Sequence, residues 1–178
     1  MSAHFQASGP RSNAYSESKF TNWTVYDPFF AEARSAYKRY DDKISREPKF
    51  PHIVSIKPQT PDFIHPCTRA EVKIRLERMP PENRQGLRAV FLLAGTRKQE
   101  RSWWSSLGCY GIYWRACVFL FAHPFHLPYG YTLDHLRGFY LNDVLVHEVA
   151  HHIDRERITD RATKEAFAHA YVQEQGRK

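Results

Sequence analysis

The stretch Val146-His147-Glu148-Val149-Ala150-His151-His152-Ile153-Asp154 places two histidines four residues apart inside a segment with helical apolar spacing. On a helix, residues i and i+4 emerge one turn apart on the same side, so the imidazoles of His147 and His151 can converge on one metal ion. Glu148, beside the first histidine, is poorly placed as a third inner ligand, but its carboxylate can reach a water held by the metal and act as a base. Val144, Leu145, Val149 and Ile153 give the helix an apolar backing that turns the histidine side toward a cleft or the core. Two imidazoles and a carboxylate are costly to bury there without an ion or a full set of hydrogen bonds. With 10 His and 11 Glu in 178 residues, a shuffled chain would contain HExxH roughly 3% of the time, so the helical context carries more weight than the pattern alone. The spacing predicts a helix from a cap at Thr132 through about Arg155, bent or restarted near Gly138.

A hydrolytic zinc site needs three protein ligands and an open position, so a third ligand is expected nearby. A last helix is expected over about 161–175, capped by Thr159 or Asp160, and Glu165 lies early in it, separated from His151 by 13 residues. That interval lets the chain leave one helix, turn and send the next back across it. Ala162, Ala166 and Ala168 would let the two helices approach closely. Asp160 in the connecting turn and Asp154 beyond His151 are the rival ligands. His152 points about a hundred degrees away from His151 on a helix, which fits a surface or supporting residue better than a ligand.

Upstream, prolines 48, 51, 58, 61 and 66 punctuate the chain, and Ile53, Val54 and Ile56 between them mark a short strand over 52–57. Thr68 followed by Glu71 has capping-box spacing and opens a helix that Pro80 and Pro81 close. The run Ala89 to Ala94 ends at Gly95 and reads as a buried strand, and Leu107 to Ala122 is long enough for two more. A loop from His123 to Gly130 is expected to break the sheet; His123 and His126 within it have no imposed convergence as a second metal pair. Phe29, Phe30, Ala33, Ala36, Tyr37 and Tyr40 recur at helical spacing over 28–44, while residues 1–22 are polar and without period. The expected organisation is an N-terminal arm over 1–50 containing a helix, followed by one α+β domain over 51–178.

The longest apolar run, Ala116 to Ala122, has seven residues, well short of the roughly eighteen that cross a bilayer. Nothing at the N-terminus has the apolar centre of a secretory signal, and a cytoplasmic protein is expected. Cys67, Cys109 and Cys117 have no CxxC spacing and read as reduced, buried thiols. The net charge of +7 is uneven: 8 bases and 6 acids over 1–50, 11 and 5 over 51–122, and 7 and 8 over 123–178. The basic excess therefore lies outside the HExxH segment, where Arg97, Lys98, Arg101, Trp103 and Trp104 form a basic and aromatic cluster of the kind that packs on nucleic acid. Any nucleic-acid contact would be accessory.

His147-Glu148-Val149-Ala150-His151, with the later Glu165-Ala166-Phe167-Ala168, resembles the zincin superfamily of metallopeptidases, in particular the gluzincin branch, over about residues 107–175. The resemblance implies a small zincin-like domain in which a short mixed sheet packs on the HExxH helix and a Glu-bearing helix follows. It implies zinc bound by His147, His151 and Glu165, and Glu148 as the general base that activates a metal-held water against peptide bonds. It also implies a protein or peptide substrate held along an edge strand within 109–122. The interval of 13 is shorter than in the larger gluzincins, and His169 stands where some members place an aspartate that supports a zinc-bound histidine. The metzincin extension is absent, because Asp154 and Arg157 occupy its glycine and histidine positions. Resemblance to the proteases of DNA-protein crosslinks is partial, since those usually carry a third histidine. The alternative expectation is a catalytically weak, metal-binding regulatory or DNA-associated protein. Tyr131, Tyr171, His169 and His126 are the candidate oxyanion partners.

Overall fold

A computed structural model describes residues 28–58, 61–104, 110–124, 131–155 and 160–175. The expected polar arm before residue 28, Cys109, His126 and the Thr159 cap lie outside the described residues. Helix α1 (Pro28–Tyr40) is followed by strands β1 (His52–Ser55) and β2 (Phe63–Ile64), helix α2 (Arg69–Glu77), strand β3 (Ala89–Leu92) and helix α3 (Arg97–Trp104). Strands β4 (Gly111–Trp114), β5 (Cys117–Leu120) and β6 (His123–Pro124) then lead into helices α4 (Leu133–Phe139), α5 (Leu145–Ile153) and α6 (Arg161–Gln175).

The main sheet has the order β1-β3-β5-β4, with β1, β3 and β5 parallel and β4 running antiparallel at one edge. Its central strands are apolar at every position because both faces are covered, which removes the inside-outside alternation of a half-exposed strand. Ala89, Phe91, Cys117 and Phe119 face α1, where Phe29, Phe30, Ala33, Ala36 and Tyr37 meet them. Val90, Leu92, Val118 and Leu120 face Val72 and Leu76 of α2, Leu145, Val149 and Ala150 of α5, and Ala168 and Tyr171 of α6. The helix inside the expected N-terminal arm is thus one layer on the sheet, and the mixed α and β content agrees with an α+β class.

Local chemistry accounts for most boundaries. Thr68 and Glu71 form the expected capping box, Glu71 taking the Thr68 N–H at 2.7 Å and giving its own N–H to the Thr68 hydroxyl at 3.3 Å. Asp160 caps α6 by accepting the Thr163 N–H at 3.1 Å. The segment Arg97–Trp104 lies between two strands, as expected, and is a helix not anticipated from the sequence; Gln99 is fully buried on it and bonds the Glu32 carboxylate of α1 at 2.7 Å. The loop expected from His123 begins with a two-residue pairing of β6 to β2.

Two departures from regular structure bear on the site. The expected break near Gly138 is a π-helical turn, Tyr140–Val144, that joins α4 to α5 without interrupting the helix. Such wide turns insert one residue and re-phase everything that follows them, and they recur near functional sites. Gly138 is not required for space, since a Cβ there would meet nothing within 4 Å. The second departure is the β4–β5 hairpin, whose two connecting residues, Arg115 and Ala116, both have positive φ (50° and 55°), as a type I′ turn demands. The Arg115 guanidinium lies 4.9 Å from the Trp114 ring and 5.4 Å from the Tyr37 ring, and the Ala116 carbonyl accepts the Arg88 N–H at 2.7 Å, so packing offsets the left-handed strain.

Candidate metal centre

Helices α5 and α6 pack against each other and bring the HExxH histidines to the glutamate of the next helix. Ala168, fully buried, is the small residue at this contact; Ala162 and Ala166 are exposed and do not serve the close approach expected of them. His147 Nε2 lies 3.1 Å from His151 Nε2 and 3.3 Å from Glu165 Oε2, and His151 Nε2 lies 3.6 Å from Glu165 Oε1. Donors held 2.0–2.1 Å from a tetrahedral zinc ion are about 3.3 Å apart, and the three separations are of that size, although each imidazole faces a different oxygen of Glu165. Two imidazole nitrogens and a carboxylate this close together form a donor set that a divalent cation could use.

Charge is unevenly divided within the cluster, so an ion bound by all three groups would have to displace a proton from His147. Burial opposes a charged His147, but the Glu165 hydrogen bond and the charges of Glu148 and Glu165 outweigh it and hold its pKa above the ordinary value. Burial and the neighbouring His147 charge push His151 down to about 4, leaving a neutral imidazole with a lone pair to give. Burial favours a neutral Glu165, yet the His147 hydrogen bond and the adjacent imidazoles keep its carboxyl below the usual range. Zinc binds a neutral imidazole and an ionised carboxylate.

Glu148 is 3% exposed and packs against Gly111 of β4. Burial pushes its carboxyl up to about 7; the charge of His147 and the backbone N–H of Tyr113 pull it down, while Glu165 adds to the rise. A carboxyl that titrates near neutrality can both accept and return a proton. Gly111 on β4 makes room for it: a Cβ at that position would lie 2.7 Å from Val144 Cγ1, 3.0 Å from Glu148 Cγ and 3.3 Å from Glu148 Oε1. The helix can seat its carboxylate against the edge strand only because this residue has no side chain.

The remaining sequence candidates separate clearly. Asp160 is exposed, and its oxygens bond the Thr163 backbone N–H and hydroxyl at the N-terminus of α6. Asp154 is buried at the end of α5. The ligating atoms that group together among the described residues are those of His147, Glu165 and His169; neither aspartate belongs to that group, nor does His151, which meets His147 at 3.1 Å and Glu165 at 3.6 Å. His152 is 1% exposed rather than at the surface; its Nδ1 lies 3.1 Å from the Tyr113 hydroxyl and its Nε2 2.9 Å from the Gln85 carbonyl oxygen. Because a carbonyl only accepts, Nε2 carries the proton and Nδ1 receives the Tyr113 O–H, which braces α5 against β4. Tyr171 is engaged elsewhere, its hydroxyl accepting from Asn83 at 2.6 Å, and Tyr131 is 39% exposed. Among the described residues, His169 alone of the oxyanion candidates joins the cluster: its ring centroid lies 5.1 Å from that of His147, and its ligating nitrogen is within 4.8 Å of the ligating atoms of His147 and Glu165. Among the basic cluster, Arg97 and Lys98 are exposed, and the side chains of Arg101, Trp103 and Trp104 lie outside the described residues. Cys67 and Cys117 are buried and reduced, burial pushing both thiols up to about 12.

Gly111 and Tyr113 were not singled out as site residues from sequence. The available signal was a glycine opening a β-favouring stretch upstream of HExxH, which marks a close backbone approach. No helix among the described residues is long and apolar enough to cross a membrane. No family model, curated protein or solved structure matches the chain.

Proposed function

We propose that the protein is a zinc-dependent metallopeptidase of zincin type, hydrolysing peptide bonds, with His147, His151 and Glu165 as metal ligands and Glu148 as general base. The observation that carries this reading is the convergence of two imidazole nitrogens and a carboxylate, from two successive helices, at separations of 3.1, 3.3 and 3.6 Å. A zinc ion bound there supplies a Lewis acid that polarises a carbonyl and makes water acidic enough to attack at neutral pH. His147 and His151 contribute neutral nitrogens from one face of α5, and Glu165 neutralises one charge from α6. Glu148 takes the proton of the attacking water and delivers it to the departing amine, the exchange for which its buried position against Gly111 and the Tyr113 N–H holds it. Strand β4, antiparallel at the sheet edge beside this carboxylate, is the element along which an extended peptide would align.

Glu148→Gln tests the assignment, because the amide preserves shape and removes the base. Zinc content is expected to stay at the wild-type level while cleavage of a peptide library falls by at least about a hundredfold, the scale of general-base catalysis. Unchanged cleavage would remove Glu148 from the mechanism. A wild-type chain that holds zinc yet cleaves no peptide would favour a non-catalytic metal protein.

A further inference from the structure

His147 and Glu165 are shared by two sets of ligating side chains, one completed by His151 and the other by His169. His147 and Glu165 form a shared pair, with His151 on one side at 3.1 and 3.6 Å and His169 on the other, its nitrogen within 4.8 Å of both. His169 lies one turn beyond Glu165 on α6, so its side chain emerges on the same face. Unlike the other three it is exposed, placing it on the solvent side of the cluster. A tetrahedral ion needs its fourth donor about 3.3 Å from the others, so His169, already grouped with His147 and Glu165 but not with His151, must swing inward to complete the set. An exposed imidazole makes such a swing by side-chain rotation on a picosecond to nanosecond scale.

We propose that His169 is a displaceable fourth ligand that closes the metal site at rest, so that substrate or solvent must compete with it for the open coordination position. This rests on the metal reading above and deepens it. A zinc centre with four protein ligands is of the structural kind, whereas a catalytic one keeps a position open; a fourth histidine on the exposed face allows one site to pass between the two. The resting chain is then latent through its own α6, and a substrate that binds along the cleft and moves His169 aside exposes the ion. The same side chain sits above His147, with ring centroids 5.1 Å apart, and stays close enough to return when the cleft empties.

The test uses the full chain loaded with cobalt(II), whose visible spectrum reports coordination, and azide as a probe of an open position. Wild type is expected to bind one cobalt per chain and to respond weakly to azide. His169→Ala should still bind one cobalt, with affinity lower by roughly tenfold, and should bind azide at least about tenfold more tightly than wild type. His169→Gln, which keeps a polar side chain of similar reach, should behave like the alanine variant. Equal azide affinity in wild type and both variants would overturn the inference while leaving the three-ligand site intact. Complete loss of cobalt in His169→Ala would also overturn it, making His169 an indispensable ligand. If wild type takes up no cobalt, the metal reading itself fails and this inference falls with it. Peptide cleavage separates the remaining possibility: activity is expected to rise in His169→Ala, whereas a fall with unchanged azide binding would assign His169 to the oxyanion.

Discussion

Replacing Gly111 with alanine puts a methyl group where α5 touches the edge strand. The added Cβ would lie 2.7 Å from Val144 Cγ1 and 3.0 Å from Glu148 Cγ, against about 3.5–4.0 Å for relaxed carbon contacts. Closing an overlap of about an ångström means moving either the helix or both side chains, and overpacking of this kind costs about 1–3 kcal/mol. Loss of glycine's unfolded-state entropy returns about 0.4–1 kcal/mol, leaving a net destabilisation near 1.5 kcal/mol. For a domain of this size that corresponds to a melting temperature lower by roughly 3–6 °C. The functional effect should be larger, because the Glu148 carboxylate is 3.3 Å from the new atom and must leave its place beside the Tyr113 N–H. Thermal melts with zinc quantification, followed by peptide cleavage, separate the two effects: zinc is retained, stability falls slightly and kcat falls steeply. A Gly111→Ala protein with wild-type melting temperature and turnover would refute the claim that this contact positions Glu148.

Ala116→Gly should stabilise the chain by about 1 kcal/mol, because glycine adopts the positive φ of the β4–β5 turn without the side-chain penalty; chemical denaturation with an unchanged slope checks this, and a loss of stability would show that the alanine methyl packs usefully. His65 and His123 lie on the small β2–β6 sheet and its margin, and burial holds both below the ordinary histidine pKa, against the opposing effect of their bonds to the Ile56 and Pro124 carbonyls. The unfolded chain therefore binds protons that the fold refuses, so this contribution to stability is fully present above pH 6.5 and is lost as pH falls through the lowered folded values. The melting temperature should drop between pH 7.5 and 5, and less so in His65→Gln with His123→Asn, which keep the donors and remove the titration; an identical drop in the variant would contradict the assignment.

The residues that meet between α5 and α6 were more legible in the sequence than the elements that position them. HExxH spacing and a glutamate with 13 residues between it and His151 are one-dimensional signals of a local helical geometry, and Thr132 and Asp160 cap the helical runs that carry them. What escaped was decided by non-local packing. Arg97–Trp104 became helical through a buried glutamine that bonds α1, a partner distant in sequence. The β4–β5 turn carries neither glycine nor asparagine, because Trp114 and Tyr37 hold Arg115 in place. For His152 helical phase argues against a ligand and leaves surface and supporting roles open; the strand and turn it meets, at Tyr113 and Gln85, make it a supporting residue. Assignment of Ala162 and Ala166 to the helix contact failed: spacing offered three small residues, and the crossing of α5 and α6 used only Ala168.

Metal content of the purified full chain, measured by elemental analysis alongside Glu165→Gln and His151→Ala, bears most directly on the shared centre of α5 and α6. The account predicts one zinc per wild-type chain, removable by chelator, and affinity in both variants too weak for zinc to survive dialysis. Wild type without zinc even after reconstitution, or variants that retain it at wild-type stoichiometry, would contradict it.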